Sequence, residues 1–317
     1  MKNKYKFISI ITILMMMLLA VQFVSATHTH TSVITPEWKT ASTSTEYTIA
    51  VTNNGADSVD WVMITIPTGD PGYDALTCGS APAGWSLDAS TSTACTYSTS
   101  TTYIASSASE DFTLTATTAT TTGTYDWQTK TRDLNMAYVT TNPTSKVDAD
   151  VPTAALTYSD TDGVFYNGQV VTITATFNED MADSPIVKLA IDNSELTAAE
   201  MTKVTAISYT YAYTVQAAGD IATATASLSI GTDVAGNVIT AVPTSGATFE
   251  IDNTDPVISS TAPAASAFIN IQTVSYTLDE AVASGAIVFT RTAGTADGNV
   301  HTCTLQGTAL ILVLTQI

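Results

Sequence analysis

Basic residues are scarce. Ten Lys and Arg stand against 29 Asp and Glu, with three His. A chain of that sign repels nucleic acid and anionic lipid surfaces, so neither is a partner. Catalytic equipment is thin as well. No Gly-x-Ser-x-Gly elbow occurs. The three histidines are His28 and His30, near the front of the chain, and the distant His301. His28-Thr29-His30 could bind a stray transition metal, but the expectation is a frayed, solvated tail. The single Asn-x-Thr triplet, Asn142-Pro143-Thr144, is closed to N-glycosylation by its proline. A helical pattern is missing almost everywhere. Only Ser194 to Met201, with Ser194 or Asn193 as cap, fits a short helix.

What is present begins with a leader. Lys2, Lys4 and Lys6 precede the apolar run Phe7 to Val24, and Val24-Ser25-Ala26 offers small residues for cleavage after Ala26. The alternative is a retained membrane anchor, because the run approaches spanning length. No acylatable Cys follows. Residues 1–26 are read as a signal peptide, the chain's one membrane-directed segment, and the protein as secreted or cell-surface. Losing three Lys takes the formal net charge from −19 to −22. Acidity of that size keeps an exported protein soluble and makes cations its natural counter-species. Charged residues are only 12% of the chain while 45% is hydrophobic, enough for packed cores.

The remainder reads with period two. Glu46 to Thr52 alternates, Asn53-Asn54-Gly55 is a turn that accepts positive φ, and Val59 to Ile66 follows. That last segment sets Trp61, Met63 and Thr65 on one face and Val62, Ile64 and Ile66 on the other, until Pro67 ends it. Phe112 to Ala116 and Thr124 to Thr129 are the next strands. Strands at intervals of about ten residues, with turn signals between them, indicate a β-sandwich. Strands then recur over 155–158, 170–177, 186–191, 209–215, 222–230 and 247–251. Asp148-Ala149-Asp150-Val151-Pro152 and Asp252-Asn253-Thr254-Asp255-Pro256 read as linkers, their prolines 104 residues apart. After Pro256 only 61 residues remain, too few for a complete sandwich, so the last module is read as truncated and Ala309 to Leu314 as one of its strands. The fold class is all-β: after the 1–26 leader come modules at 27–147, 148–255 and 256–317.

Two stretches resemble known families. Tyr47 to Gly55 with the Val59 to Pro67 strand resembles the opening of cell-adhesion-related conserved-repeat domains of bacterial and archaeal surface proteins. Gly168 to Glu179, the Asp233-Val234-Ala235-Gly236-Asn237 turn and Ile251 to Pro256 resemble the tandem bacterial Ig-like repeats of large surface adhesins and S-layer-type proteins. Tyr276 to Val282 is similar to the same group. The resemblance implies immunoglobulin-like sandwiches in an extended array, with calcium rigidifying the junctions.

Calcium takes six to eight oxygens from carboxylates, carbonyls and Asn. The candidate ligands are Asp148, Asp150, Asp233, Asn237, Asp252 and Asp255; the competing reading is that they serve turns. Asp160-Thr161-Asp162-Gly163 opens like an EF-hand loop but carries Val171 where the closing Glu is required, so it reads as a turn. Cys78 and Cys95 are read as a disulfide in an oxidising compartment, and Cys303 as buried or free to link another chain.

The expected function is structural or adhesive: modules that space and display, with other surface proteins or cell-wall and extracellular glycans as partners, and no catalysis. The alternative is a carbohydrate-binding module, because Trp38, Trp61, Trp85 and Trp127 all fall in the first module, although filling the core accounts for them first.

Overall fold

The computed structural model describes residues 28–193, 195–268, 274–290, 299–306 and 313–314. The leader lies outside them, as do residues 309–312 of the expected final strand. Among the described residues there are strands and turns and no helix.

The first twelve strands are β1 (His30–Thr35), β2 (Trp38–Thr40), β3 (Ser44–Asn53), β4 (Val59–Thr65), β5 (Asp74–Cys78), β6 (Ser86–Ser90), β7 (Ala94–Ser98), β8 (Ser109–Thr117), β9 (Gly123–Asp126), β10 (Gln128–Asp133), β11 (Tyr138–Thr141) and β12 (Thr144–Asp148). They form a sheet β1-β3-β8-β5, a second sheet β11-β10-β4-β7-β6, and a short sheet β2-β12-β9. The alternation anticipated for β3 and β4 is what closes the sandwich. Tyr47, Ile49 and Val51 point inward from β3, Val62 and Ile64 from β4, and Phe112 and Leu114 from β8, all at 1% exposure or less. Burying one such side chain is worth about 1.5–3 kcal/mol. Cys78 of β5 and Cys95 of β7 form the anticipated disulfide, which ties the two sheets together. Closing its 17-residue separation contributes about 3 kcal/mol on the chain-entropy account.

Three expectations need correcting. Residues 124–129 are not one strand. The chain breaks at Trp127, so that β9 pairs with β12 and β10 with β4. Trp127 is 1% exposed and donates its Nε1–H to Ser145 Oγ at 2.8 Å, an anchor that forces the change of sheet. Gly55 has no positive φ. It is required because an added Cβ would lie 2.3 Å from the Cα of His28. And residues 195–201 are not helical. Leu196–Glu200 is a strand whose Leu196, Ala199 and Glu200 pair with Ile191, Leu189 and Lys188. Eight residues are too few to hold a helix on their own, and sheet pairing overrides their propensity.

The later strands are β13 (Ala154–Tyr158), β14 (Val164–Phe165), β15 (Val170–Phe177), β16 (Lys188–Ile191), β17 (Leu196–Glu200), β18 (Thr202–Thr205), β19 (Ser208–Thr214), β20 (Ile221–Ser229), β21 (Thr248–Ile251), β22 (Ile258–Ala262), β23 (Ser275–Leu278), β24 (Ala286–Phe289), β25 (His301–Thr304) and β26 (Val313–Leu314). The chain forms two compact units. Of the described residues, one comprises those up to Thr161 with those of Val171–Tyr213 and Thr225–Thr248; the other comprises Asp162–Val170, Thr214–Ala224 and those from Phe249 onward. In the first unit, β13 pairs antiparallel with β15 from Ala154↔Phe177 to Tyr158↔Ile173, and β16 lies between β17 and β20. Val171, Ile173, Leu189, Ile191, Tyr209 and Leu228 are its buried side chains there. In the second unit, β14 runs parallel to β21, β23 lies between β22 and β26, and β24 pairs with β25. Tyr276 and Leu278 centre a small core with Val282, Ile287 and Leu305.

Candidate functional site

Three strand ends bring carboxylates together within the first unit. Asp148 is the last residue of β12. Glu179 stands two residues beyond β15. Asp233 opens the turn that follows β20. One carboxylate oxygen from each lies within 4.8 Å of the others, and among the described residues no other His, Cys, Asp or Glu group meets that distance.

Local chemistry fixes each position. Asp233 is 1% exposed, and its Oδ1 accepts the backbone N–H of Gly236 and Asn237 at 2.6 and 2.9 Å. Its Oδ2 accepts Asn237 Nδ2–H at 2.8 Å, and the same amide group donates to the Asp148 carbonyl at 3.2 Å. Gly236 permits this turn because its φ is +106°. Asp148 Oδ1 accepts the N–H of Asp150 at 2.9 Å, and the Thr122 hydroxyl reaches Asp148 and Asp150 at 3.3 and 3.2 Å. Asp148, Asp150, Asp233 and Asn237, four of the six expected ligands, therefore meet in one place.

Glu179 was missing from the sequence reading. Its carboxyl is pushed up to about 7, first by burial and then by the charges of Asp148, Asp233 and Asp150. Its Oε1 is shielded from solvent and has no hydrogen-bond partner. Among the described residues no Lys, Arg or His ion pair reaches Asp148, Glu179 or Asp233. Crowded carboxylates with one unsatisfied buried oxygen are what a hard cation relieves. The donor set, oxygen throughout, fits calcium.

Asp252 stands in a second acidic group, inside the second unit. With Asp220, Glu250, Thr254, Asp279 and Glu280 it lines a groove of about 310 Å³. Burial, followed by the charge of Asp252, raises the Glu280 carboxyl. Thr254 ties the group by donating its hydroxyl to Asp220 Oδ2 at 2.6 Å and its N–H to Asp252 Oδ1 at 3.0 Å. Asp255 is exposed and stands in neither group. The two groups share a register. Asp148 and Asp252 each lie six positions ahead of the first residue of the next strand, Ala154 or Ile258. Glu179 and Glu280 each lie two positions past the residue paired with that one, Phe177 or Leu278. The recurrence of Phe-Asn-Glu in Leu-Asp-Glu was the sequence signal for both glutamates.

The remaining candidates have other fates. Asp162 serves its turn, accepting the N–H of Val164 at 3.0 Å. Cys303 is free and half-buried. Trp127 and Trp85 are buried, whereas Trp38 and Trp61 are half-buried on outward faces. The two histidines depart furthest from expectation. His28 and His30 are not a solvated tail, being 0% and 4% exposed. His28 Nδ1 lies 3.0 Å from Asp133 Oδ2 and its Nε2 2.9 Å from Thr131 Oγ1. Thr131 Oγ1 is 2.8 Å from His30 Nδ1, and His30 Nε2 is 2.8 Å from Thr141 Oγ1. The four contacts form one buried chain from the Thr141 hydroxyl to the Asp133 carboxylate. The β-strand that begins at His30 carries both rings into the sandwich, which is why they do not fray.

No family model matches the chain, and no curated protein matches it. Among solved structures the chain is similar to fibronectin(III)-like modules of CbhA from Clostridium thermocellum, at 14% identity over 71% of this chain and 94% of that one, with TM-score 0.30. It is also similar to a tetra-tandem repeat in the extending region of a large adhesion protein, at 19% identity over 91% of this chain and 65% of that one, with TM-score 0.31. A third likeness is to the C-terminal domain of BspA from Streptococcus agalactiae, at 10% identity over 71% and 100%, with TM-score 0.29. At such values the likenesses carry no argument; the fold is read from the sheets themselves.

Proposed function

We propose that this chain is an extracellular structural or adhesive protein whose β-sandwiches act as spacers and interaction domains, with a calcium ion clamping the end of β12 to the turns after β15 and β20. The observation that carries this reading is the convergence of Asp148, Glu179 and Asp233 within 4.8 Å. Fixing three such turns at mutual repulsion has a purpose when a cation joins them: it converts a bend between successive sandwiches into a fixed angle. The leader, the disulfide and the acidic surface agree with an oxidising, calcium-rich exterior. Other surface proteins or cell-wall glycans are the partners such spacers would present.

Thermal unfolding tests it. Extracellular calcium sites have Kd values of about 10⁻⁴–10⁻³ M, so 10 mM calcium against chelator should stabilise by about 1.4–2.7 kcal/mol, a rise of several degrees. Asp148→Asn should abolish that rise. A melting temperature indifferent to chelator would remove the calcium clamp from the proposal.

A further inference from the structure

Within the first sandwich the two outer faces differ in kind. On the β3 and β8 face the outward residues are Glu46, Thr48 and Ala50 beside Asp111, Thr113 and Thr115, with no aromatic. On the other face, β4 turns Trp61 and Met63 outward. Register places Arg132 of β10 between Trp61 and Tyr138 of β11, and places Lys130 beside Met63. The rings of Trp61 and Tyr138 meet edge to face, with centroids 5.6 Å apart at 89°. Lys130 Nζ lies 4.6 Å from the centre of the Tyr138 ring. Arg132 is gripped by Asp60 through two bonds of 3.0 and 2.7 Å. Along the same two strands the row continues to the paired residues Thr65 and Gln128. These open a cleft of about 400 Å³ with Pro67, Pro71, Tyr125 and Asp126.

The geometry points to this face as a binding site for an uncharged polysaccharide, stacked on Trp61 and Tyr138 and hydrogen-bonded in the Gln128–Asp126 cleft. An aromatic ring covers the C–H face of a sugar, while its hydroxyls require the amides, carboxylates and hydroxyls that follow along the strands. The rings are already held by one another and by Lys130, so little rotamer freedom is lost on binding. Asp60 pairs with Arg132, and Lys130 and Asp126 add one charge of each sign to the same face. In a chain of net charge −19 such a patch is neutral ground, and a polyanion would be repelled by the remainder. The inference goes beyond the spacer role and does not rest on the cation at Asp148.

Affinity electrophoresis of the full chain tests it, through gels containing galactomannan, hydroxyethylcellulose or polygalacturonate. Retardation is expected in at least one of the two neutral polymers, unchanged by chelator. Trp61→Ala should reduce affinity at least tenfold and Tyr138→Ala several-fold. Tyr138 is 47% exposed, so its variant stays folded, and a melting curve recorded beside the gels separates binding from folding. Migration unaffected by either neutral polymer would overturn the inference, as would equal retardation of Trp61→Ala or retardation in polygalacturonate alone. Concentration-dependent dimerisation that Trp61→Ala abolishes would assign the face to a second copy and overturn it as well.

Discussion

Asp133→Ala should destabilise the first sandwich by about 3–5 kcal/mol, because it takes the acceptor away from three N–H donors at about 1–3 kcal/mol for each one left buried. The expectation follows from what the carboxylate holds. Its Oδ2 meets His28 Nδ1 at 3.0 Å with both side chains 0% exposed, and its Oδ1 accepts the N–H of Asn135 and of Ala137, each at 2.9 Å. Burial alone would raise this carboxyl, but the Ala137, His28 and Asn135 hydrogen bonds outweigh it and hold the pKa below the ordinary value. Removing it strands an imidazole N–H in a site water cannot reach and unties the β10–β11 hairpin. All four tryptophans lie in this sandwich, so denaturant unfolding followed by Trp emission reports on it alone. Asp133→Asn keeps an acceptor for the hairpin and should cost far less. A loss below 1 kcal/mol for the alanine variant would show that the buried network adds nothing to stability.

That network also marks where the sequence stops being legible. The alternation of Tyr47, Ile49 and Val51 and of Val62, Ile64 and Ile66 is local and needs no partner to be read, so β3, β4 and the sandwich class were accessible. Asp148, Asp233 and Asn237 were accessible because linker and turn residues announce themselves. His28, Gly55 and Glu179 were not. Each owes its role to a residue brought up by strand register: Asp133 for His28, the His28 backbone for Gly55, and Asp148 with Asp233 for Glu179. A single sequence states which residues alternate but leaves the pairing of β13 with β15 unspecified, and it is the Ala154↔Phe177 pairing that carries Glu179 to the acidic cluster.

The pH dependence of stability should show two limbs of opposite sign. Burial pushes His30 down to about 4, with repulsion from His28 adding to it and the Thr129 backbone opposing it. The unfolded chain therefore protonates this ring first. Stability is fully present above pH 6.5 and is lost as pH falls from 6.5 through 4, by about 3 kcal/mol at 1.36 kcal/mol per pKa unit. Glu179 works the other way. Its carboxyl stands at about 7, so the folded state prefers the neutral form. That contribution is present below about pH 4.5 and is lost as pH rises through 7, on the order of 1–2 kcal/mol once solvent screening is allowed for. A bound cation favours the ionised form, so calcium should flatten the Glu179 limb and leave the His30 limb untouched. His30→Gln should do the reverse, and Glu179→Gln should abolish both the calcium response and the upper limb. Denaturant midpoints from pH 4 to 8, by Trp emission for the first sandwich and far-ultraviolet circular dichroism for the whole chain, separate the two. Equal slopes in His30→Gln and wild type between pH 6.5 and 4 would show that the acid limb arises elsewhere. A calcium response that persists in Glu179→Gln would place the ion away from this cluster.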